Sequence, residues 1–212
     1  MNGLKDALRL AEALCARVCH DLSGPLGILG GMLEMLQEET VDRSEALTMA
    51  SEAATSLQRR LQCLRAAWGS NPGPLSIATA TILAEGLSGA GHLRIDFDGL
   101  SSDTEFEPEF GRALLGLMLL AADSLPAGGR IAVAGSPTDL VVRLDGPRAA
   151  WPPGFAECLR DDAALVSAWD RPRGLAIPMA LLLARQAGAE VSLLLPTGPA
   201  DAGPPPLRLR RN

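Results

Sequence analysis

The chain has 212 residues, which predicts one or two domains at roughly 150 residues each. Its apolar share of 47% and charged share of 21% are a globular mix that excludes disordered, collagen-like and low-complexity chains. A net charge of −6, with 3% aromatics and no tyrosine, counts against a nucleic-acid or anionic-membrane binder and against base-stacking platforms.

The first ten residues mix charged and apolar side chains from the start, so no secretory signal is expected. The longest apolar stretch, Ala113 to Ala122, includes Gly116 and is too short to span a bilayer. Cys15, Cys19, Cys63 and Cys158 form no CxxC pair and no zinc spacing, and read as reduced core residues of a cytosolic protein.

Residues from about Asn2 to Glu38 read as one helix. Leu8, Ala11, Cys15, Val18, Leu22, Pro25, Leu29, Met32 and Leu36 alternate three and four apart, a sustained heptad seam. Pro25 removes one backbone donor, at a cost of about 3 kcal/mol, and is expected to kink the helix without breaking it. A short polar turn, Glu38 to Ser44, leads into a second helix from about Asp42 to Trp68. Its seam is Leu47, Ala50, Ala54, Leu57, Leu61, Leu64 and Trp68. Gly69, Pro72, Gly73 and Pro74 then mark a domain boundary, giving residues 1–70 and 71–212. Two helices on a short connection form an antiparallel hairpin. A hairpin alone cannot surround its seam, so two copies closing a four-helix bundle, a homodimer, are expected. The alternative is that the hairpin packs on its own downstream domain.

Downstream, Ser76 to Ser88 reads as a helix, His92 to Phe97 as a strand and Glu107 to Leu125 as a strongly apolar helix. Arg130 to Ala134 and Leu140 to Leu144 read as a hairpin around Gly135-Ser136-Pro137. An irregular stretch from Asp145 to Arg173, with one or two short helices, precedes a helix from Gly174 to Ala187. Val191 to Leu195 and Leu207 to Leu209 close the chain as strands around the loop Pro196 to Pro206. The fold class is therefore α+β: a helical hairpin followed by a two-layer α/β sandwich.

On a helical wheel the first seam clusters within about 70° of one direction, and His20 lies about 170° away. Its neighbours on that outer face are small: Ala13, Ala16, Ser23, Gly24, Gly27 and Gly31. Gly24, Gly27, Gly30 and Gly31 together cost roughly 3–4 kcal/mol against alanine in a helix interior. A smooth strip of this kind lets another protein approach the imidazole closely. The alternative is a solvated histidine beside tolerated glycines. Neutral imidazole is a competent nucleophile, and Asp21, next in sequence, is a candidate to orient or deprotonate it; the alternative is a common solvated helix residue. Arg17, on the flank of the strip, reads as a solvated charge; the alternative is that it screens phosphate charge. Cys15 and Cys19 lie on the seam side, so they cannot converge with His20 on a metal ion. His92 reads as structural. No GxSxG, Walker A or dinucleotide glycine pattern is present.

The segment Cys19-His20-Asp21-Leu22-Ser23-Gly24-Pro25-Leu26-Gly27 resembles the phosphoacceptor box of two-component histidine kinases: histidine, acid, apolar, two variable residues, proline. The form is similar to the ChpT-type histidine phosphotransferases of alphaproteobacteria. The hairpin followed by one α/β domain matches that family over nearly the whole chain. The resemblance implies a degenerate ATPase-like second domain. Where the kinases carry magnesium-holding Asn residues, this chain has Gly116 and Leu120, and apolar side chains cannot ligate a hard cation. Where they carry Asp-x-Gly-x-Gly, it has Asp145-Gly146-Pro147-Arg148. Its last glycine loop is reduced to Arg171-Pro172-Arg173-Gly174-Leu175. Gly24 replaces the polar fourth residue after the histidine, which weighs against water-activating phosphatase chemistry.

The resemblance implies a relay: His20 accepts a phosphoryl group from one receiver aspartate and passes it to another. No ATP and no metal of its own are expected, magnesium coming with the receiver. The expected partners are response-regulator receivers, a hybrid kinase receiver and a second copy of the chain. Ala13, Ala16, Arg17, Ser23, Gly24, Gly27 and Gly31 would form the docking surface. The rival readings are an inert dimeric scaffold or partner-switching adaptor, an ATP-dependent sensor kinase and a receiver phosphatase.

Overall fold

A computed structural model describes residues 2–36, 43–87, 93–170, 174–195 and 203–211. The long helix α1 (Asn2–Met35) runs unbroken through Pro25, because a single lost donor is small against the contacts along 34 residues. Helix α2 (Arg43–Trp68) packs back along it. The polar turn lies almost wholly at residues 37–42, outside the described residues, as does His92.

The seams divide differently from the sequence expectation. Among the described residues of α1 none is buried within the single chain. Val18, Leu22, Pro25, Leu29, Met32 and Leu36 are half-buried, whereas Leu8, Ala11 and Cys15 stay exposed. Cys19 is exposed as well, so of the four cysteines expected in the core only Cys63 and Cys158 lie there, because nothing among the described residues covers the part of α1 that carries the other two. On α2 the buried face is Ala46, Ala50, Ala53, Cys63, Leu64 and Ala67, and the expected seam residues Leu47, Ala54 and Leu61 are exposed. The physical reason is that each helix meets α2 or α1 along one arc only. The remaining apolar arc of a heptad helix needs a further helix to cover it.

Helix α2 ends at Gly69, whose backbone N–H bonds the Arg65 carbonyl at 2.9 Å. A Cβ at Gly69 would stand 2.4 Å from that oxygen, so only glycine allows so tight a stop. The linker leads to β1 (Leu75–Ser76), the helix α3 (Ile77–Ala84), β2 (Leu93–Gly99) and β3 (Glu105–Phe106). Ser76 caps α3 by accepting from the Thr79 N–H. β1 and β3 pair as a two-residue antiparallel ladder, too short to be legible in the sequence. Next come α4 (Pro108–Asp123), β4 (Gly129–Ser136) and β5 (Asp139–Asp145). The irregular stretch holds α5 (Phe155–Cys158), α6 (Asp162–Ser167) and a 3-10 turn (Ala168–Asp170). Helix α7 (Ala176–Gln186) and strands β6 (Ala189–Leu193) and β7 (Leu207–Arg211) complete the domain.

The five-stranded sheet has the order β2-β4-β5-β7-β6, with β2 and β4 parallel and the other pairs antiparallel. Alternate residues of its central strands, Ile131 and Val133, Leu140 and Val142, Leu207 and Leu209, are buried, the period-two pattern of a sheet with one covered face. Helices α4 and α7 cover that face. The α+β class and the order of elements agree with the sequence reading. The core is continuous with the hairpin base: Cys63, Leu64 and Ala67 of α2 join the cluster that holds Phe106, Phe110 and Leu114, and Leu22 of α1 packs against it. Arg112 of α4 donates from Nε to the Ala67 carbonyl at 3.2 Å, satisfying one orphan acceptor at the end of α2. The hairpin base thus does pack on its own downstream domain, while the upper part does not.

Candidate functional site

His20 lies mid-way along α1, and 69% of its side chain is exposed. Around it Ala16, Ser23, Gly24 and Gly27 are exposed, and Ala13, Arg17 and Gly31 are half-buried. A Cβ built at Gly27, Gly30 or Gly31 meets nothing within 4 Å, so no contact inside the chain demands glycine there. Gly24 has a local reason. It precedes Pro25, and a proline ring crowds the Cβ of a helical residue before it. Ser23 turns its hydroxyl back to the Cys19 carbonyl at 2.7 Å, which further smooths the strip.

Beside the imidazole lies a network of charges. Asp21 is only 8% exposed, although it follows His20 directly. Its Oδ2 accepts from Arg17 Nε at 3.0 Å and from Arg60 Nη2, on α2, at 2.5 Å. Its Oδ1 faces His20 Nδ1 at 3.5 Å, a long contact. Arg17 departs from the sequence reading: it is not a solvated charge. Its side chain is 11% exposed and grips Asp123 of α4 with two bonds of 2.9 Å. The fork geometry of a guanidinium explains this, since one face of it serves Asp123 while Nε serves Asp21.

Burial works to raise the Asp21 carboxyl, but Arg60 and then Arg17 hold it below its ordinary value of 3.8. Burial likewise works against the Arg17 charge, and Asp123 and Asp21 outweigh it, so the guanidinium stays firmly protonated. Sequence reasoning missed Arg60 and Asp123. Asp123 left one signal: an acid in the last turn of a helix opposes the macrodipole and asks for a cation. Arg60 left none. Among the described residues no group of three His, Cys, Asp or Glu side chains is arranged to hold a metal ion.

Where the resemblance compared this chain with the kinases' nucleotide boxes, α4 packs directly on α7. Leu120 is fully buried, and a Cβ at Gly116 would stand 2.9 Å from Leu183 Cδ1. Gly146 is half-buried, and a Cβ there would meet the Gly128 carbonyl at 2.6 Å. Of the last glycine loop, residues 171–173 lie outside the described residues.

The model of the histidine phosphotransferase C-terminal domain family matches residues 77–197. The protein phosphotransferase ChpT of Brucella abortus (strain 2308) is 30% identical over 209 residues, covering 88% of this chain and 90% of that protein. The chain belongs to the ChpT-type histidine phosphotransferases. A solved bacterial phosphotransferase has the same fold, with a TM-score of 0.70 at 23% identity over 96% of this chain and 95% of that one. The phosphotransferase therefore joins a transfer function to the hairpin-and-sandwich architecture described above. Among its described residues no helix is long and apolar enough to cross a membrane.

Proposed function

We propose that this phosphotransferase relays a phosphoryl group between the aspartates of two receiver domains through His20. The observation that carries the reading is the exposed imidazole on a strip with no bulk around it, backed by an ionised neighbour. In the forward step a ring nitrogen lone pair attacks the phosphorus of a receiver acyl phosphate. The N–P bond forms as the P–O bond breaks, and the receiver carboxylate leaves with the electron pair. A second receiver carboxylate reverses the step. Little covalent work falls to the protein; positioning dominates. Ala13, Ala16, Ser23, Gly24, Gly27 and Gly31 form the docking strip in this reading, while Arg17, 11% exposed and bonded to Asp123 and Asp21, stands behind it and not in it. Magnesium enters with the receiver, and response-regulator and hybrid-kinase receivers are the partners, in the cytoplasm.

The protein works as a homodimer built on residues 1–70. In support, Leu8, Leu26 and Leu33 of α1 and Leu47 and Leu61 of α2 are exposed in the single chain, and covering a leucine is worth about 1.5–3 kcal/mol. Residues 71–212 act as a partner-selecting domain that binds no ATP. The tight packing of Gly116 and Leu120 between α4 and α7, without an oxygen ligand, supports that reading.

The test mixes the purified protein with receivers charged by acetyl phosphate. Acid-labile, base-stable label is expected on the wild type and absent from His20→Ala. Label on both, or on neither with several receivers, refutes the relay. Tight binding in an ATP titration would refute nucleotide independence and point to a kinase.

A further inference from the structure

The charges around His20 form one alternating chain from the α/β layer to the acceptor helix. Asp123, at the end of α4, holds Arg17 with both carboxylate oxygens. Arg17 and Arg60 both bond the same oxygen of Asp21, Oδ2. Arg60 is itself steadied by Nη1 donating to the Gly86 carbonyl at 3.5 Å. Oδ1 of Asp21 carries neither guanidinium, and it is the atom that faces His20 Nδ1. This asymmetry has a consequence for the imidazole. Rotating the Asp21 carboxylate would break two charge-assisted bonds at once, so Oδ1 is kept on the ring side. Two guanidiniums balance two carboxylates, so Asp21 stays anionic although its side chain is almost wholly covered.

We propose that Asp123, Arg17 and Arg60 are positioning residues for phosphotransfer. They hold Asp21 ionised with Oδ1 as the acceptor for Nδ1–H, which leaves Nε2 as the unprotonated nucleophile. This rests on the reading of His20 as phosphoacceptor. As the Nε2–P bond forms and the P–O bond to the receiver breaks, the ring gains positive charge and keeps its Nδ1 proton. Asp21 offsets that charge without taking the proton. The α/β domain therefore contributes to the transfer step itself, through one side chain 106 residues from its partner in sequence.

The experiment uses the full chain and a receiver domain, charged with acetyl phosphate, that labels the wild type. It measures the transfer rate at saturating receiver and the receiver concentration giving half that rate. For Asp123→Asn the saturating rate is expected to fall roughly tenfold to a hundredfold, the scale of a small displacement at a reacting centre. The half-saturating concentration should stay within about twofold of wild type, as expected when docking is untouched. Asp123→Glu, which keeps the charge, should recover most of the rate. Arg17→Lys keeps its charge but cannot fork to two carboxylates, and should be as slow as Asp123→Asn. Nitrogen-15 spectra of the imidazole should show the Nδ1–H form dominant in the wild type and mixed tautomers in Asp123→Asn. Wild-type rate and tautomer in both Asp123→Asn and Arg17→Lys would overturn the proposal. So would a loss seen only in the half-saturating concentration, which would assign these residues to docking. Labelling of His20→Ala would instead sink the phosphoacceptor reading, a separate result.

Discussion

Replacing Gly27 and Gly31 together with alanine separates two demands on α1. Neither new methyl group meets another atom within 4 Å, and both sites lie inside one continuous helix. Helix propensity alone should then stabilise the fold by about 0.8–1 kcal/mol per site, or about 1.6–2 kcal/mol for the pair. For a chain of this size that corresponds to a rise in Tm of roughly 3–8 °C. In the proposed relay the same methyl groups would stand in the face that a receiver approaches. Overpacking typically costs about 1–3 kcal/mol, which is roughly a fivefold to 150-fold loss of receiver affinity. Scanning calorimetry and a titration of the labelled receiver read the two effects on one sample. A higher Tm with weaker binding is expected. A higher Tm with unchanged binding would show that the strip merely faces water. A lower Tm would show that another surface already packs on it.

Three further outcomes follow from the same geometry. Leu47→Glu/Leu61→Glu places charge on the uncovered stripe of α2, so light scattering should give half the wild-type mass; an unchanged mass would rule out that stripe as the dimer face. Gly86→Ala should cost about 1–3 kcal/mol in a urea titration, because its Cβ would lie 2.3 Å from the Arg59 carbonyl oxygen and must push α2 away beside Arg60; a wild-type midpoint would refute the close approach. The Asp21 carboxyl is held below 3.8, so its ion pairs contribute fully above that pH and are lost as pH falls through the lower folded value. Wild-type stability should therefore fall more steeply than that of Asp21→Asn below about pH 4, and parallel slopes would contradict the assignment.

Much of the architecture was legible because local rules set it. The three-four spacing from Val18 to Leu36 and the Gly69 to Pro74 breakers gave the hairpin nearly to the residue. Alternation at Ile131, Val133, Leu140 and Val142 gave the central strands. Histidine opposite the seam, on a glycine-rich arc, gave an outward-facing imidazole, and His20 is exposed. The same periodicity did not show which part of the α2 seam α1 covers. A heptad pattern reports that a face is apolar and says nothing about which neighbour covers it, so Leu47, Ala54 and Leu61 were grouped with Ala50 and Leu64. Arg17 was misread for a related reason. An arginine one turn from an acid on a helix is the common solvated pair, and its fate depends on a group outside the helix.

The sequence by itself determined where the helices and the longer strands lie and which histidine projects outward, because each follows from spacing and side-chain chemistry within a few turns. Only the tertiary structure decided that α4 brings Asp123 to Arg17, that α2 brings Arg60 to Asp21, and that a single carboxylate oxygen is left for the imidazole. Those pairings join residues 106 and 39 positions apart. Such contacts are fixed by how layers pack, and side-chain packing has no period for a one-dimensional reading to detect.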